Sequence, residues 1–370
     1  MKHFHPLEVG AVERATDDAL RVLLAVPPAL RADYAFRPGQ FLTLRATIGG
    51  REERRSYSIC NSVGDYARSG RLAVGIKQIE GGVFSGWAAA SLRPGMTLDA
   101  LPPEGRFCTR LDGAVHRVLF AAGSGITPLL SILASGLERD DGARYTLVYG
   151  SRDSAHILFG EDLQDLKDRY PTRLVLLHML SRQAQELPLA QGRIDAAKLE
   201  RLFATLIPPA DIDEAFVCGP QGMIDGVCAA LAAAGVPAER VHAERFVATG
   251  GSAARAPAAT TATPAAAADA GGAQPPAGAV RLAIVLDGKR HELWLEREQS
   301  PLDAGLAAGL DLPYSCRAGV CCTCRARVLQ GEVQMLRNFT LEPDEIAQGF
   351  ILGCQARALG DRLELSFDER

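Results

Sequence analysis

Short apolar-rich runs that read as β segments open the chain at 21–26, 41–46 and 72–76, with Pro38-Gly39, Gly49-Gly50 and Pro94-Gly95 outside those runs. A period of two puts every second side chain on one face of a strand, and Gly and Pro pairs supply turns. Residues 1–112 therefore predict a small antiparallel β-barrel. Beyond that point the pattern changes. Apolar runs at 117–122, 145–149, 174–180 and 215–218 suit strands buried on both faces, and the stretches between them carry helical spacing. Strands alternating with helices predict a parallel, doubly wound α/β sheet over residues 113–248. A third pattern begins near 280: a hairpin over 280–295 turning at Asp287-Gly288, a short helix at 301–309, and a loop rich in cysteine. Residues 281–370 are expected to form a third, small domain.

Composition breaks sharply before this last region. Residues 249–280 consist almost wholly of Ala, Pro, Gly, Thr and Ser, with Arg255 and Asp269 the only charges. So few large apolar side chains cannot offset the entropy of ordering the chain, which predicts a flexible linker. An alanine-rich helix is the other reading, and Pro257, Pro264, Pro275 and Pro276 oppose it. A formal net charge of −4 gives no reason to expect a nucleic acid or a membrane surface as partner. No apolar run nears the roughly 20 residues that cross a bilayer, and residues 1–11 lack the basic flank and apolar stretch of an export signal. The cytoplasm is the expected location. Nine cysteines are many for that reducing compartment unless several hold metal.

Their spacing is informative. Cys316, Cys321 and Cys324 are separated by four and then two residues, and Cys354 follows after a helical stretch and Phe350-Ile351-Leu352. This is the plant-type [2Fe-2S] spacing. Four thiolates must surround two irons, so a tight loop has to aim three side chains inward while its N–H groups face the sulfides; Gly319 lets the loop curl. Zinc is the competing metal, but structural zinc commonly uses two short Cys-x-x-Cys knuckles and only one is present. Cys322 reads as a neighbour of the ligands, because a register through it changes both spacings. Arg317 and Arg325 flank the loop, placed either to moderate the cluster's negative charge or simply to face water. Cys60, Cys108 and Cys228 read as small apolar residues.

In the barrel region, Arg55-Ser56-Tyr57-Ser58 accompanies a predicted strand. A guanidinium fork matches a diphosphate, a tyrosine ring stacks on an isoalloxazine, and the small hydroxyl of Ser58 can approach flavin N5 without blocking a hydride. Val74-Gly75-Ile76-Lys77 precedes Gly81-Gly82-Val83-Phe84-Ser85 and a helix-like stretch at 86–91. N–H groups at such a helix start suit the flavin diphosphate. Taken singly, each segment also fits a plain strand or a hairpin with a capped helix. In this order they mark a flavin site made of Arg55, Tyr57, Ser58, Val74, Lys77, Gly82, Val83 and Ser85.

Ala121-Ala122-Gly123-Ser124-Gly125-Ile126-Thr127-Pro128 joins the first α/β strand to its helix. Gly123 and Gly125 let the backbone approach a diphosphate, and Thr127 is placed to cap the helix. The string is not a full G-x-G-x-x-G and would also serve as a tight turn. At the end of the second strand, Tyr149-Gly150-Ser151-Arg152 offers a hydroxyl and a guanidinium; a surface arginine is the alternative. Cys218-Gly219-Pro220 ends the fourth strand, where ligands of open α/β sheets gather. Cys218 has no adjacent histidine, and hydride transfer needs no nucleophile. Glu244-Arg245-Phe246 closes the domain, with Phe246 either a cover for the flavin or a core ring beside a solvated glutamate.

Together these strings resemble the ferredoxin-NADP reductase superfamily, and within it the oxygenase reductases that carry a C-terminal plant-type ferredoxin domain. The resemblance spans nearly the whole chain and rests on Phe4-His5-Pro6-Leu7, Arg55-Ser56-Tyr57-Ser58-Ile59-Cys60, Gly123 to Pro128, and Cys316-Arg317-Ala318-Gly319-Val320-Cys321. It implies a FAD-binding barrel, an NAD(P)H-binding α/β domain and an α+β, β-grasp [2Fe-2S] domain. It implies that Ser58, Cys218 and Glu244 lie at the reacting centre, with Gly219, Pro220 and Phe246 beside the cofactor rings. Ser151 and Arg152 would read the adenosine ribose, and a guanidinium there favours the 2′-phosphate of NADPH. The implied path runs from NADPH as a hydride to FAD, then one electron at a time through the cluster to a separate di-iron oxygenase of a multicomponent monooxygenase. The chain offers no paired Glu-x-x-His motifs of its own for such a centre. Reductases of ring-hydroxylating or steroid-hydroxylating oxygenases share the same modules, and a redox sensor could be built from them; turnover above roughly one per second excludes the sensor. Cys322, where a small hydroxyl residue is usual, and the long linker depart from the family pattern.

Overall fold

The computed structural model describes residues 3–108, 112–113, 115–139, 142–246 and 278–369. They fall into two compact units, His3–Phe246 and one within Val247–Arg370. The linker expected at 249–280 lies outside the described residues except for its last three.

Six strands build the barrel: β1 (His5–Thr16), β2 (Ala19–Ala25), β3 (Phe41–Ile48), β4 (Arg51–Ser58), β5 (Arg71–Lys77) and β6 (Thr97–Ala100), in the order β4-β3-β6-β1-β2-β5. A bridge between Ile59 and Val74 brings the two ends of this antiparallel sheet together. Strand alternation works as the sequence predicts: Leu7 and Val9, Leu42 and Leu44, and Leu72, Val74 and Ile76 all point into one core. Helix α1 (Val63–Ser69) is capped by Ser62, whose hydroxyl accepts from Asp65 N–H at 2.9 Å. Helix α2 (Val83–Ser91) lays Phe84 and Ala88 into the barrel core.

The second layer is a parallel sheet of β7 (His116–Ala122), β8 (Arg144–Ser151), β9 (Leu174–Leu180), β10 (Glu214–Gly219) and β11 (Val241–Arg245), ordered β11-β10-β7-β8-β9. Successive residues of β7 feed opposite faces. Leu119 and Ala121 pack under α3 (Ile126–Leu137) and α4 (Gly160–Arg169), while Val118 and Phe120 meet α5 (Ala196–Thr205) and α6 (Gln221–Ala233). Cys60, Ala73 and Phe107 from the barrel side join the first of these cores, so barrel and sheet share one apolar interior. The Cys60 thiol behaves as a hydrophobe there, with burial pushing its pKa up to about 12. Strand order reverses at β7, between β8 and β10. The crevice at their carboxyl ends is therefore the switch point where such sheets take ligands.

The C-terminal unit holds β12 (Val280–Leu286), β13 (Lys289–Leu295), α7 (Pro301–Ala307), β14 (Arg325–Gln330), β15 (Val333–Met335), α8 (Pro343–Ala347), β16 (Phe350–Leu352), β17 (Ala356–Ala358) and β18 (Arg362–Ser366). Its mixed sheet runs β13-β12-β18-β14-β16, with β12 parallel to β18, and β15 pairs with β17. Asp287 and Gly288 both have positive φ (50° and 71°), as the expected two-residue hairpin requires. Leu302 and Ala304 of α7 seal the core from one side.

Candidate functional site

The carboxyl ends of β7, β8, β9 and β10 open onto a cavity of about 660 Å³. Gly123, Ser151, Arg152 and Pro220 line it, and Lys77 reaches it from the end of β5. Gly125 lies beneath: a Cβ there would stand 2.1 Å from the Cys218 carbonyl oxygen, so only glycine lets the β7–α3 loop press against β10. Thr127 corrects the sequence reading. Its hydroxyl donates to Ser124 O at 2.9 Å and is buried, so it locks the loop instead of capping α3.

Sequence reasoning missed two cations of this cavity, Arg182 and Arg193. Ser181-Arg182 ends β9 just as Ser151-Arg152 ends β8, and the two strings are zipped together by Ser181 N–H to Ser151 O (3.0 Å) and Arg182 N–H to Arg152 O (2.7 Å). The repeated Ser-Arg was the available signal. Arg152 is committed elsewhere, donating from Nη2 to Asp18 Oδ2 at 2.8 Å. Neither Arg182 nor Arg193 forms an ion pair with a carboxylate among the described residues, and both line the cavity, together with Asp195.

Ser58, Cys218 and Glu244 come together although 186 residues separate the first from the last. Ser58 ends β4, and the parallel register of β10 with β11 sets Cys218 beside Glu244. The Ser58 hydroxyl faces the Glu244 carboxyl and favours its ionised form, while Glu244 Oε2 is enclosed without a partner. Glu244 is thus not the solvated residue the sequence also allowed. Burial pushes its pKa up to about 8, against the opposing Ser58 hydroxyl, so it carries a proton at neutral pH. The Cys218 thiol is pushed up as well, by burial and by the Glu244 charge, and stays neutral. Phe246 is 41 % exposed just beyond β11.

A pH dependence follows. The native Glu244 pKa lies above the unfolded value of 4.5, so the folded chain holds a proton that the unfolded chain releases. Its contribution to stability is complete below pH 4.5 and is lost as pH rises to about 8. Melting temperature across that window is expected to fall more steeply for the wild type than for Glu244→Gln. Parallel curves would show that Glu244 ionises normally.

Around the expected flavin site, alternation along β4 separates Arg55 and Tyr57 from Ser56 and Ser58. The Tyr57 ring lies 5.6 Å from Phe84 of α2, which in turn meets Trp87. Arg55 pairs with Glu53 at 2.9 Å. Helix α2 starts at Val83, three residues earlier than the sequence suggests, because Ser85 folds back to accept from Ile79 N–H at 3.3 Å. Gly82 at its N-cap offers no side-chain acceptor, so first-turn N–H groups remain available beside a cavity of about 340 Å³ lined by Gly81 and Gly82. Val83 is exposed next to it, whereas the Val74 side chain belongs wholly to the barrel core.

In the C-terminal unit the four predicted cysteines form two pairs, Cys316 with Cys321 and Cys324 with Cys354. Within each pair one sulfur donates to the other and draws it towards the thiolate. Ala318 N–H points at Cys316 Sγ (3.3 Å), Cys316 N–H at Cys321 Sγ (3.5 Å) and Gln355 Nε2 at Cys354 Sγ (3.5 Å). Two thiol pairs with inward N–H donors suit a [2Fe-2S] cluster, and these four cysteines would hold it. Gly319 has φ +81° with the Arg337 carbonyl 3.0 Å from where a Cβ would be. Arg317 and Cys322 also adopt positive φ, which costs such residues about 1 kcal/mol each. The flanking arginines are not free charges: Arg317 pairs with Asp303 (3.2 Å), and Arg325 pairs with Glu345 (2.9 Å) and covers the Phe350 ring.

Family comparisons match this division. Residues 7–108 match an oxidoreductase FAD-binding domain, 119–229 an oxidoreductase NAD-binding domain, and 284–359 a 2Fe-2S iron-sulfur cluster binding domain. A subunit of 1,2-phenylacetyl-CoA epoxidase from Escherichia coli (strain K12) is 41 % identical over 100 % of this chain and 99 % of its own length. The ferredoxin reductase component of 3-ketosteroid-9-alpha-monooxygenase from Rhodococcus rhodochrous is 39 % identical over 98 % of this chain and 96 % of its own. Among solved structures, phthalate dioxygenase reductase shares the fold at a TM-score of 0.55 and 21 % identity, covering 98 % of each chain. The molecule is an NAD(P)H-dependent flavin and iron-sulfur oxidoreductase, the reductase component of an oxygenase system. More narrowly, the chain belongs to the family of oxygenase reductases that includes this component of phenylacetyl-CoA epoxidase. No helix among the described residues is long and apolar enough to cross a membrane.

Proposed function

We propose that this reductase takes electrons from NADPH in the cytoplasm and passes them to a di-iron oxygenase that epoxidises phenylacetyl-CoA. The full-length 41 % identity to a component of that epoxidase carries the choice of acceptor. Bound at their sites, the flavin accepts the nicotinamide's two electrons as a hydride and the iron-sulfur cluster handles electrons one at a time. The chain's own residues hold and orient these groups. Tyr57 offers its ring to the isoalloxazine, and Arg55 and the free N–H groups of α2 hold the FAD diphosphate. Ser58 keeps a hydroxyl at the hydride's point of arrival, and protonated Glu244 holds that hydroxyl without introducing a charge. Neutral Cys218, with Gly219 and Pro220, shapes the nicotinamide end of the cavity. Arg182 and Arg193, with Lys77 and Arg152, attract the phosphates of NADPH. Cys316, Cys321, Cys324 and Cys354 ligate the cluster. Nine cysteines without a disulfide among the described residues suit a reducing compartment.

The test is reconstitution. With the purified oxygenase components of the epoxidase, NADPH consumption is expected to depend on phenylacetyl-CoA. A second reading, supply of a steroid-hydroxylating oxygenase, is favoured by the 39 % relative and predicts consumption dependent on a 3-ketosteroid with that partner instead. No coupling to a competent epoxidase would remove the first reading and leave the reductase assignment in place.

A further inference from the structure

Asp18 lies in the turn between β1 and β2, outside every motif described above. Its carboxylate nevertheless meets two cations of the dinucleotide cavity. Oδ2 accepts from Arg152 Nη2 at 2.8 Å and stands 3.3 Å from Lys77 Nζ, while Oδ1 accepts from the Thr16 hydroxyl at 2.9 Å. The backbone fixes this placement: Gln78 N–H donates to Asp18 O at 2.7 Å, and Ala19 is paired with Lys77 across β2 and β5. Burial works against ionisation of Asp18, but the Thr16 bond and the Lys77 and Arg152 charges outweigh it and hold the carboxyl below its ordinary range. At neutral pH a fixed negative charge therefore stands against both side chains, in the wall of the cavity of about 340 Å³ that adjoins them.

We infer that Asp18 is a positioning residue that limits dinucleotide affinity, holding Arg152 and Lys77 in place while competing with the ligand's phosphates for them. The inference rests on the reading that this cavity takes the dinucleotide. Arg152 has further N–H donors beyond the one given to Asp18, and Lys77 has three, so a diphosphate can be bound without expelling the carboxylate. It is bound, however, beside a like charge. The same carboxylate that spares two cations from being left unpaired in the empty cavity weakens their hold on the filled one. A reductase has to release its oxidised nucleotide in every cycle, and tight uniform binding would slow that step.

Asp18→Asn keeps the shape and one acceptor oxygen and removes the charge. Titration of NADP⁺ into the full-length, flavin-loaded protein is expected to give a Kd about ten-fold lower than wild type at low ionic strength, shrinking to about two-fold near 0.5 M salt as charges are screened. Asp18→Glu restores a Kd close to wild type. A purely structural role would loosen binding in both variants with no salt dependence. Unchanged or weaker NADP⁺ binding by Asp18→Asn at low salt overturns the inference. Failure of the wild-type protein to bind NADP⁺ at all overturns the cavity assignment instead. If Asp18→Asn lost its flavin, Asp18→Ser provides the same comparison.

Discussion

Replacing Cys324 by serine is expected to empty the cluster site while reduction of the flavin by NADPH continues at close to the wild-type rate. Cys324 is 2 % exposed and its sulfur is hydrogen-bonded to that of Cys354, so its loss strips one iron of half its protein ligands. A serine oxygen is a harder and more basic donor than a thiolate and suits the cluster iron less well. Iron content should fall towards zero, with the visible absorption of the cluster, and with it most electron delivery to the oxygenase; iron retained in Cys324→Ser and lost on adding Cys322→Ser would show the neighbouring thiol taking the vacant position. The flavin and nicotinamide residues belong to the other compact unit, whose cores contain no residue beyond Phe246. Cys322→Ser is the control. Cys322 packs against the apolar core of the C-terminal unit and forms part of neither thiol pair, so the iron should stay. Loss of flavin reduction together with the cluster in Cys324→Ser would contradict the separation of the two sites.

The parts of this molecule that the sequence made legible are those encoded locally. The apolar runs of β5 and β7 and the Asp287-Gly288 turn each state their own conformation, and the cysteine spacing is a property of one loop plus one distant ligand. Harder to read were features set by partners far along the chain. Two Ser-Arg strings end adjacent strands, and only the Asp18 contact, 134 residues from Arg152, shows which arginine is already neutralised. Glu244 could be read as solvated or catalytic until the register with β10 placed it against Cys218 and Ser58. Thr127 has the residue type and position of a cap, yet the tight turn at Gly125 puts the Ser124 carbonyl within its reach first. In each case local chemistry offered two satisfactory outcomes and tertiary neighbours chose between them.

On the proposed use of NADPH, arginine to alanine changes at 182 and 193 are expected to abolish discrimination in favour of NADPH over NADH. NADPH and NADH differ only in the 2′-phosphate, so a residue that reads that group changes one substrate's kinetics and spares the other's. Arg182 and Arg193 line the cavity and form no ion pair with a carboxylate among the described residues, so the guanidinium of each is available to a phosphate dianion. A charge-assisted hydrogen bond contributes about 1.5–3 kcal/mol, which corresponds to roughly 10- to 100-fold in kcat/KM for NADPH per arginine. The loss should appear mainly in KM, because the phosphate is remote from the reacting carbon and is held equally in ground and transition states. Arg152→Ala should discriminate less between the two nucleotides, since Asp18 already offsets its charge. Equal losses with NADPH and NADH in Arg182→Ala and Arg193→Ala would place these side chains on the shared diphosphate and return the reading of the ribose to Arg152.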